Sequence, residues 1–234
     1  MKIDVITIFP DFFTSPLKYG VLSRAVKKSL IEINVINLRN FTTDRHMTVD
    51  DRVYGGGKGM VLKVEPIYWA VESVKEENSH VILLSAQGKL FTQQDAWRLS
   101  RLDHLILICG RYEGVDERVA EHIADEELSI GDYVISGGEP AALVLIDAVA
   151  RLIPGVVGKW ESVEQESFQT ELLDHPHYTR PPEFKGWKVP EVLLSGNHGK
   201  ISIWRKKRAF EKTLKNRPDL IKRKERKNGA DKGD

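Results

Sequence analysis

Three stretches of this sequence follow an apolar run with a glycine turn, the last two with acids in it: LLSAQG (residues 83–88), ILICGRYEG (106–114) and SIGDYVISGGE (129–139). Glycine at a strand end lets main-chain N–H and C=O groups come close to a bound molecule. Open parallel α/β sheets take their ligands outside the carboxyl ends of the strands. One such turn carries little weight, because ordinary connections look the same. Three together suggest a single cavity walled by main chain, suited to the base edge and ribose of a nucleotide-like ligand. Phosphate is not its natural guest: no G-x-G-x-x-G follows a strand, and YGGGKGM (54–60) lacks the G-x-x-x-x-G-K-[ST] spacing of a phosphate loop. Glu113, Asp116, Glu117, Asp132 and Glu139 crowd the turns instead. Carboxylates repel pyrophosphate and suit a cation. S-adenosylmethionine is an adenosine carrying a sulfonium and an ammonium group.

Other residue types offer less. His175 and His177 stand one residue apart, with His198 further on. Zinc would need partners that are missing here: a second cysteine, an H-E-x-x-H pair, or histidines at helical i, i+4 spacing. No metal site is expected, and HPHYTRP (175–181), with its aromatic and arginine, suits a structural role or RNA contact. The single cysteine, Cys109, sits inside HLILIC. It cannot form a disulfide within the chain and reads as a small core residue in a protein of the reducing cytoplasm. Net charge is +1 but uneven: residues 200–234 hold 14 Lys+Arg against 5 Asp+Glu, leaving about −8 for the preceding 199 residues. A basic tail on an acidic body points to a polyanionic partner, although a solvated helix would have the same composition. No apolar run reaches the roughly 18–20 residues of a membrane span. The start, MKIDVITIF, has the pattern of a strand and not of a signal peptide.

The elements that must hold these residues alternate. KIDVITI (2–8) and IEINVINL (31–38) read as strands, and HVILLS (80–85), HLILIC (104–109) and YVIS (133–136) as strands apolar enough to be buried on both faces. Helical spacing runs through 17–30, 64–75, 91–101, 115–123 and, most clearly, PAALVLIDAVARLI (140–153), where Ala142, Leu145, Ile146, Val149 and Leu152 share a face. Pro140 suits its first turn and Pro154-Gly155 its end. Residues 40–60 are polar and glycine-rich and are expected to form a long loop. The order predicts an α/β domain with a parallel sheet covered by helices. Beyond 156, charge, proline and aromatics replace periodicity, so a linker and irregular structure are expected. One or two basic helices follow over 205–225, then a disordered end.

CGRYEGVDER (109–118), SIGDYVISGGE (129–139), DDRVYGGGKGM (50–60), RLIPGVVG (151–158), LLDHPHYTRP (172–181) and LLSGNH (193–198) closely resemble the bacterial tRNA (guanine-37-N1)-methyltransferases, the TrmD family of the SPOUT class. The likeness runs in register from residue 1 to about 205. It implies a knotted parallel-sheet domain with a deep trefoil knot, which no spacing argument predicts since threaded chains are rare. It also implies a homodimer with composite active sites and a small helical C-terminal domain that helps hold tRNA. The corresponding boundaries are 1–158 for the S-adenosylmethionine-binding domain, 159–175 for a linker and 176–234 for the basic domain. Carried over by position, the donor site uses Leu84, Ser85, Gly110, Glu113, Ile130, Gly131, Asp132, Tyr133, Val134, Ile135 and Gly138. RNA contact falls to Asp50, Arg52 and Gly56 in the glycine loop, to His177, Tyr178, Arg180, Ser195, Asn197 and His198, and to the basic residues of the tail, Lys222, Arg223 and Lys224 among them. Mg²⁺ is among the cofactors the family implies, but no carboxylate cluster identifies a place for it.

The reaction so implied sets a demand. Guanine N1 bears a proton at neutral pH, so a base must remove it and a positive group must meet the charge that develops on O6. The family places an arginine at the position of Arg151 and an acid just before Ser-Phe. Here QESF makes that acid Glu166, where Asp is the familiar residue. The extra methylene weakens the assignment, and Asp174 in LLDHPHY is the rival. An unperturbed Glu titrates near 4.3 and is a feeble base; burial would raise that value and a nearby arginine lower it. Two further readings share the motifs: a SPOUT ribose 2′-O-methyltransferase, and a non-catalytic RNA-binding protein with a relic pocket.

Overall fold

The computed structural model of the chain describes residues 1–158, 160, 166–169 and 172–221. The chain divides into two compact units, residues 1–158 and 159–234.

The first unit is built on five parallel strands: β1 (Lys2–Thr7), β2 (Glu32–Asn37), β5 (Ser79–Leu90), β6 (His104–Cys109) and β7 (Glu126–Ser129), in the order β2-β1-β6-β5-β7. HLILIC is buried at every position, as a central parallel strand must be when helices cover both faces. Alternate residues serve opposite faces. Ile6, Ile8, Ile106 and Ile108 join a core with Ile67, Ala70 and Val71 of helix α2 (Val64–Glu72) and Val119 of α4 (Arg118–His122). Ile3, Val5, Leu105 and Leu107, also fully buried, take the other side, where α5 (Glu139–Ala150) packs on β6 and meets α1 (Gly20–Lys27) and α3 (Gln93–Leu99). The parallel α/β sheet is therefore as expected.

Three local expectations are corrected. YVIS (133–136) is not a strand: Val134 is 88% exposed and Tyr133 56%. Its apolar residues line a cavity and do not fill a core. The fifth strand is instead EELS, at the sheet edge, where its two glutamates remain half-buried. Residues 40–60 are not all loop, because β3 (Asp50–Arg52) and β4 (Met60–Leu62) form a short antiparallel ribbon. The helix expected over 17–30 is confined to Gly20–Lys27, closed by Ser29 in the left-handed region (φ 54°).

At the amino ends of the strands a buried polar chain ties the sheet together. Asp4 accepts a hydrogen bond from Asn34 (2.9 Å) and pairs with His104 Nε2 (2.8 Å). His104 Nδ1 lies 2.7 Å from Ser79 Oγ, which accepts the Glu76 N–H at the same distance. Strands β2, β1, β6 and β5 are thereby linked. Helix α3 opens with a capping box in which the Thr92 side chain accepts from the Asp95 N–H while Asp95 accepts from the Thr92 N–H.

In the second unit, β8 (Glu183–Phe184) and β9 (Trp187–Lys188) form a hairpin whose turn residues, Lys185 and Gly186, both have positive φ. A short α6 (Glu191–Leu194) precedes α7 (His198–Asn216). Helix α7 starts earlier than the basic run suggests because Asn197 caps it, accepting the Lys200 N–H at 3.0 Å. Thr213, fully buried on α7, accepts the Leu173 N–H and anchors the segment before HPHYTRP. The end expected to be disordered, with Lys222, Arg223 and Lys224, lies outside the described residues, as does part of the expected linker.

Candidate active site

The three glycine-ended stretches converge. A cavity of about 280 Å³ opens at the carboxyl ends of β5, β6 and β7, walled by 83–87, by 110–115 and by 127–138 with Asp132 left out. Of the expected donor-site residues, Leu84, Ser85, Gly110, Glu113, Ile130, Gly131, Tyr133, Val134, Ile135 and Gly138 all line it; Asp132 does not. The β5 wall is a bulge. Leu84 and Lys89 both register with Leu128 of β7, so Ser85–Gly88 loop out of the ladder at the rim.

Packing explains why glycine ends the third stretch. Gly138 has an ordinary helical φ of −74°, so its small size and not its backbone freedom is what matters. A Cβ there would sit 2.7 Å from Cys109 Cα and 2.9 Å from Gly110 N. Without one, the Gly138 N–H donates to the Gly110 carbonyl at 2.8 Å and seats the start of α5 against the end of β6. Residues 110–114 are held from the other side by the β4 ribbon: the Glu113 N–H donates to the Met60 carbonyl, and the Leu62 N–H to that of Gly114, both at 3.1 Å.

The acids of the turns part company. Glu113 and Glu117 line the cavity with Glu127. Asp116 turns away, clamped by Arg118 through two contacts of 2.7 Å that hold its carboxyl below the usual range. Glu139 is 1% exposed, in the first turn of α5. It accepts the Thr7 hydroxyl at 2.7 Å and faces Arg111 Nη1 at 3.3 Å. Arg111, which the sequence reading passed over although it lies within GRYEG, lines the cavity with its guanidinium 4.6 Å above the Phe9 ring. Burial, with Glu139 adding to it, pushes the Cys109 thiol well above its ordinary value, so it stays protonated and is no nucleophile.

Arg151, half-buried, is the C-cap of α5 in the first unit. Glu166, also half-buried, belongs to the second unit, where its carbonyl accepts the Gln169 N–H. Asp50 and Arg52 lie on β3, and Gly56 follows in a loop where 55–57 all have positive φ. In the second unit His177 and Tyr178 are exposed, with Tyr178 6.3 Å from Trp204 and Arg208 5.7 Å above that indole. Arg180 and His198 are exposed as well. Ser195 and Asn197 are committed to the turn that starts α7: Ser195 Oγ donates to the Val192 carbonyl and accepts the Asn197 N–H.

Asp174 bridges His175 Nδ1 (2.7 Å) and His177 Nε2 (2.8 Å). Burial works against its charge, but the His177 contact and the His175 N–H outweigh it and hold the carboxyl low. Burial likewise lowers His175, with His177 and Arg205 adding to the effect against the pull of Asp174. These three could hold a metal ion, their ligand atoms lying within 4.8 Å of one another. Two imidazoles and one carboxylate do not fit Mg²⁺, which wants an octahedron of oxygens. Among the described residues no other such cluster occurs.

Comparison with known proteins decides the family. Residues 1–223 match the family described as tRNA (Guanine-1)-methyltransferase TrmD. The chain belongs to this family. Its relatives include a tRNA (guanine-N(1)-)-methyltransferase of Carboxydothermus hydrogenoformans, 58% identical over 222 residues, covering 95% of this chain and 88% of the relative. Proteins of the same description from Koribacter versatilis (54%, 94% and 92%) and Thermotoga petrophila (56%, 96% and 92%) are similar over the same span. Within the family frame, the converging glycine stretches and the basic α7 belong to one enzyme. No helix among the described residues is long and apolar enough to cross a membrane.

Proposed function

We propose that the cavity at the ends of β5, β6 and β7 binds S-adenosylmethionine, and that the chain uses it to methylate N1 of guanosine 37, on the 3′ side of the anticodon. The chain is a tRNA (guanine-N1)-methyltransferase and requires a methyl donor. The convergence of three glycine-ended stretches on one cavity supports the donor's place there, and the family likeness supports guanosine 37 as the target. The residues fit such a donor. Leu83, Leu128, Ile130, Val134 and Ile135 offer an apolar surface for adenine, and Glu113, Glu117 and Glu127 favour a cation. Bound there, the donor supplies a methyl group already activated by its sulfonium.

The chain's own residues then handle the proton. Glu166 removes it from N1 and Arg151 meets the charge on O6. Asp174 is the weaker choice of base, because the groups that hold its carboxyl low stabilise the very anion that would have to take up the proton. Asp50, Arg52 and Gly56 border the target base, while His177, Tyr178, Arg180 and His198, with α7, contact RNA. Ser195 and Asn197 shape that surface through the turn they hold. The domain limits are 1–158, 159–175 and 176–234, and the protein acts in the cytoplasm as a homodimer with composite sites. Threading of the chain as a trefoil knot is the reading that the family likeness supports.

Transfer of labelled methyl from S-adenosylmethionine to tRNA transcripts with guanosine or adenosine at position 37 tests the proposal. Product is expected only with guanosine, mapped to N1. Methyl on a ribose 2′-oxygen would favour the other SPOUT reading, and donor binding without transfer a relic pocket.

A further inference from the structure

Arg111 is the one cation among the described residues lining the cavity, whose other charged groups are Glu113, Glu117 and Glu127. We propose that Arg111 receives the carboxylate of the methyl donor, and that Glu139, seated by Thr7, is the positioning residue that holds Arg111 in place. This rests on reading the cavity as the donor site.

The guanidinium is confined on three sides. Its central carbon lies over the Phe9 ring, 4.6 Å from the centroid. One nitrogen meets Glu139 Oε2 at 3.3 Å. Behind it stands Gly137, where a Cβ would collide with Arg111 Nη1 and come 2.6 Å from Glu139 Oε2. Glu139 cannot drift, because it is 1% exposed, its other oxygen accepts the Thr7 hydroxyl, and Thr7 is itself 1% exposed and fixed by the Phe9 N–H at 2.9 Å. The first turn of a 12-residue helix favours an acid at that place. Arginine has five N–H donors. Glu139 uses one, no other partner of the side chain occurs among the described residues, and the side chain is 27% exposed. The remaining donors are free for a ligand.

The donor carries one anionic group. Beside the three glutamates it would be repelled; beside Arg111 it finds a planar fork that matches a carboxylate. The glutamates and the arginine together suit a ligand with cationic and anionic ends.

Calorimetry with S-adenosylmethionine and its decarboxylated analogue tests this. The wild-type protein should bind the full donor at least about tenfold more tightly, the scale of one charge-assisted contact. Arg111→Met and Glu139→Gln should bring that ratio close to one while retaining affinity for the analogue, which also reports that the site is folded. Thr7→Val, which replaces the hydroxyl with a methyl of similar size, should lower the ratio in the same direction. Equal binding of both ligands by the wild type would overturn the inference and leave the donor site standing. No binding of either would overturn the donor site itself. A ratio lost in Arg111→Met but kept in Glu139→Gln and Thr7→Val would overturn the positioning role.

Discussion

Gly138→Ala isolates one interaction of the site. The residue has φ −74°, so alanine meets no backbone penalty and the only change is one methyl group. That methyl would lie 2.7, 2.9 and 3.1 Å from backbone atoms of Cys109 and Gly110. Ordinary contact begins at 3.4 Å, so the start of α5 must retreat from the end of β6 by up to 0.7 Å. Neither neighbour can rotate away, because both are main chain. The Gly138 N–H to Gly110 carbonyl bond lengthens and two walls of the cavity separate. Overpacking of this kind costs about 1–3 kcal/mol, or roughly 2–12 °C in Tm for a chain of this size. Donor affinity should fall by about tenfold or more, since a shift approaching 1 Å breaks the alignment of several contacts at once. Calorimetric titration and thermal unfolding measure the two effects. Gly158→Ala, where a Cβ meets nothing within 4 Å, is the control and should change both within error. If Gly138→Ala bound donor with native affinity and melted with the wild type, the close approach of α5 to β6 could not be what shapes the cavity.

Glu166→Gln should preserve donor and tRNA affinity yet lose most turnover in single-turnover assays; wild-type turnover would transfer the role of base to Asp174. Asp4→Ala leaves the buried His104 ring without its carboxylate and takes one of two partners from Asn34, so it should cost about 1–3 kcal/mol in urea unfolding; donor binding by the folded variant should persist, because the network lies at the opposite end of the strands. Asp95→Asn should cost about 0.5–2 kcal/mol at pH 7 by weakening the cap of α3. Burial opposes the Asp95 charge, but Thr92 and Lys89 win and hold its pKa below the ordinary 3.8. Its contribution is therefore full above that value and is lost as pH falls through the depressed one. Unfolding curves of wild type and variant should converge below about pH 4, and a constant gap down to pH 2 would refute the assignment.

The sheet was legible where burial dictates composition. HLILIC can be little else than a central strand, and the stripe of Ala142, Leu145, Ile146 and Val149 named the face of α5. The same rule misled at YVIS, because a cavity wall selects apolar side chains as a core does. It missed EELS, whose edge position tolerates glutamate on a strand, and the β3–β4 ribbon, whose DDR is too short and polar to show periodicity. Glycines told where the chain bends toward the site. They could not show that Gly138 serves contact between elements, nor that Arg111 stands over Phe9 beside a glutamate 28 residues further on, since those facts exist only once α5 has returned to β6.

Glycine and apolar side chains make up much of the cavity wall, so main-chain amides stand there beside the charged Arg111, Glu113, Glu117 and Glu127. Drift in sequence exchanges side chains and leaves amides where they are. Replacing Val134 or Ile135 would reshape the opening without removing one hydrogen-bonding atom of the backbone. An inhibitor built to engage those amides would meet few single-step routes to resistance. The most direct of them, at Gly137 or Gly138, would also weaken binding of the natural ligand.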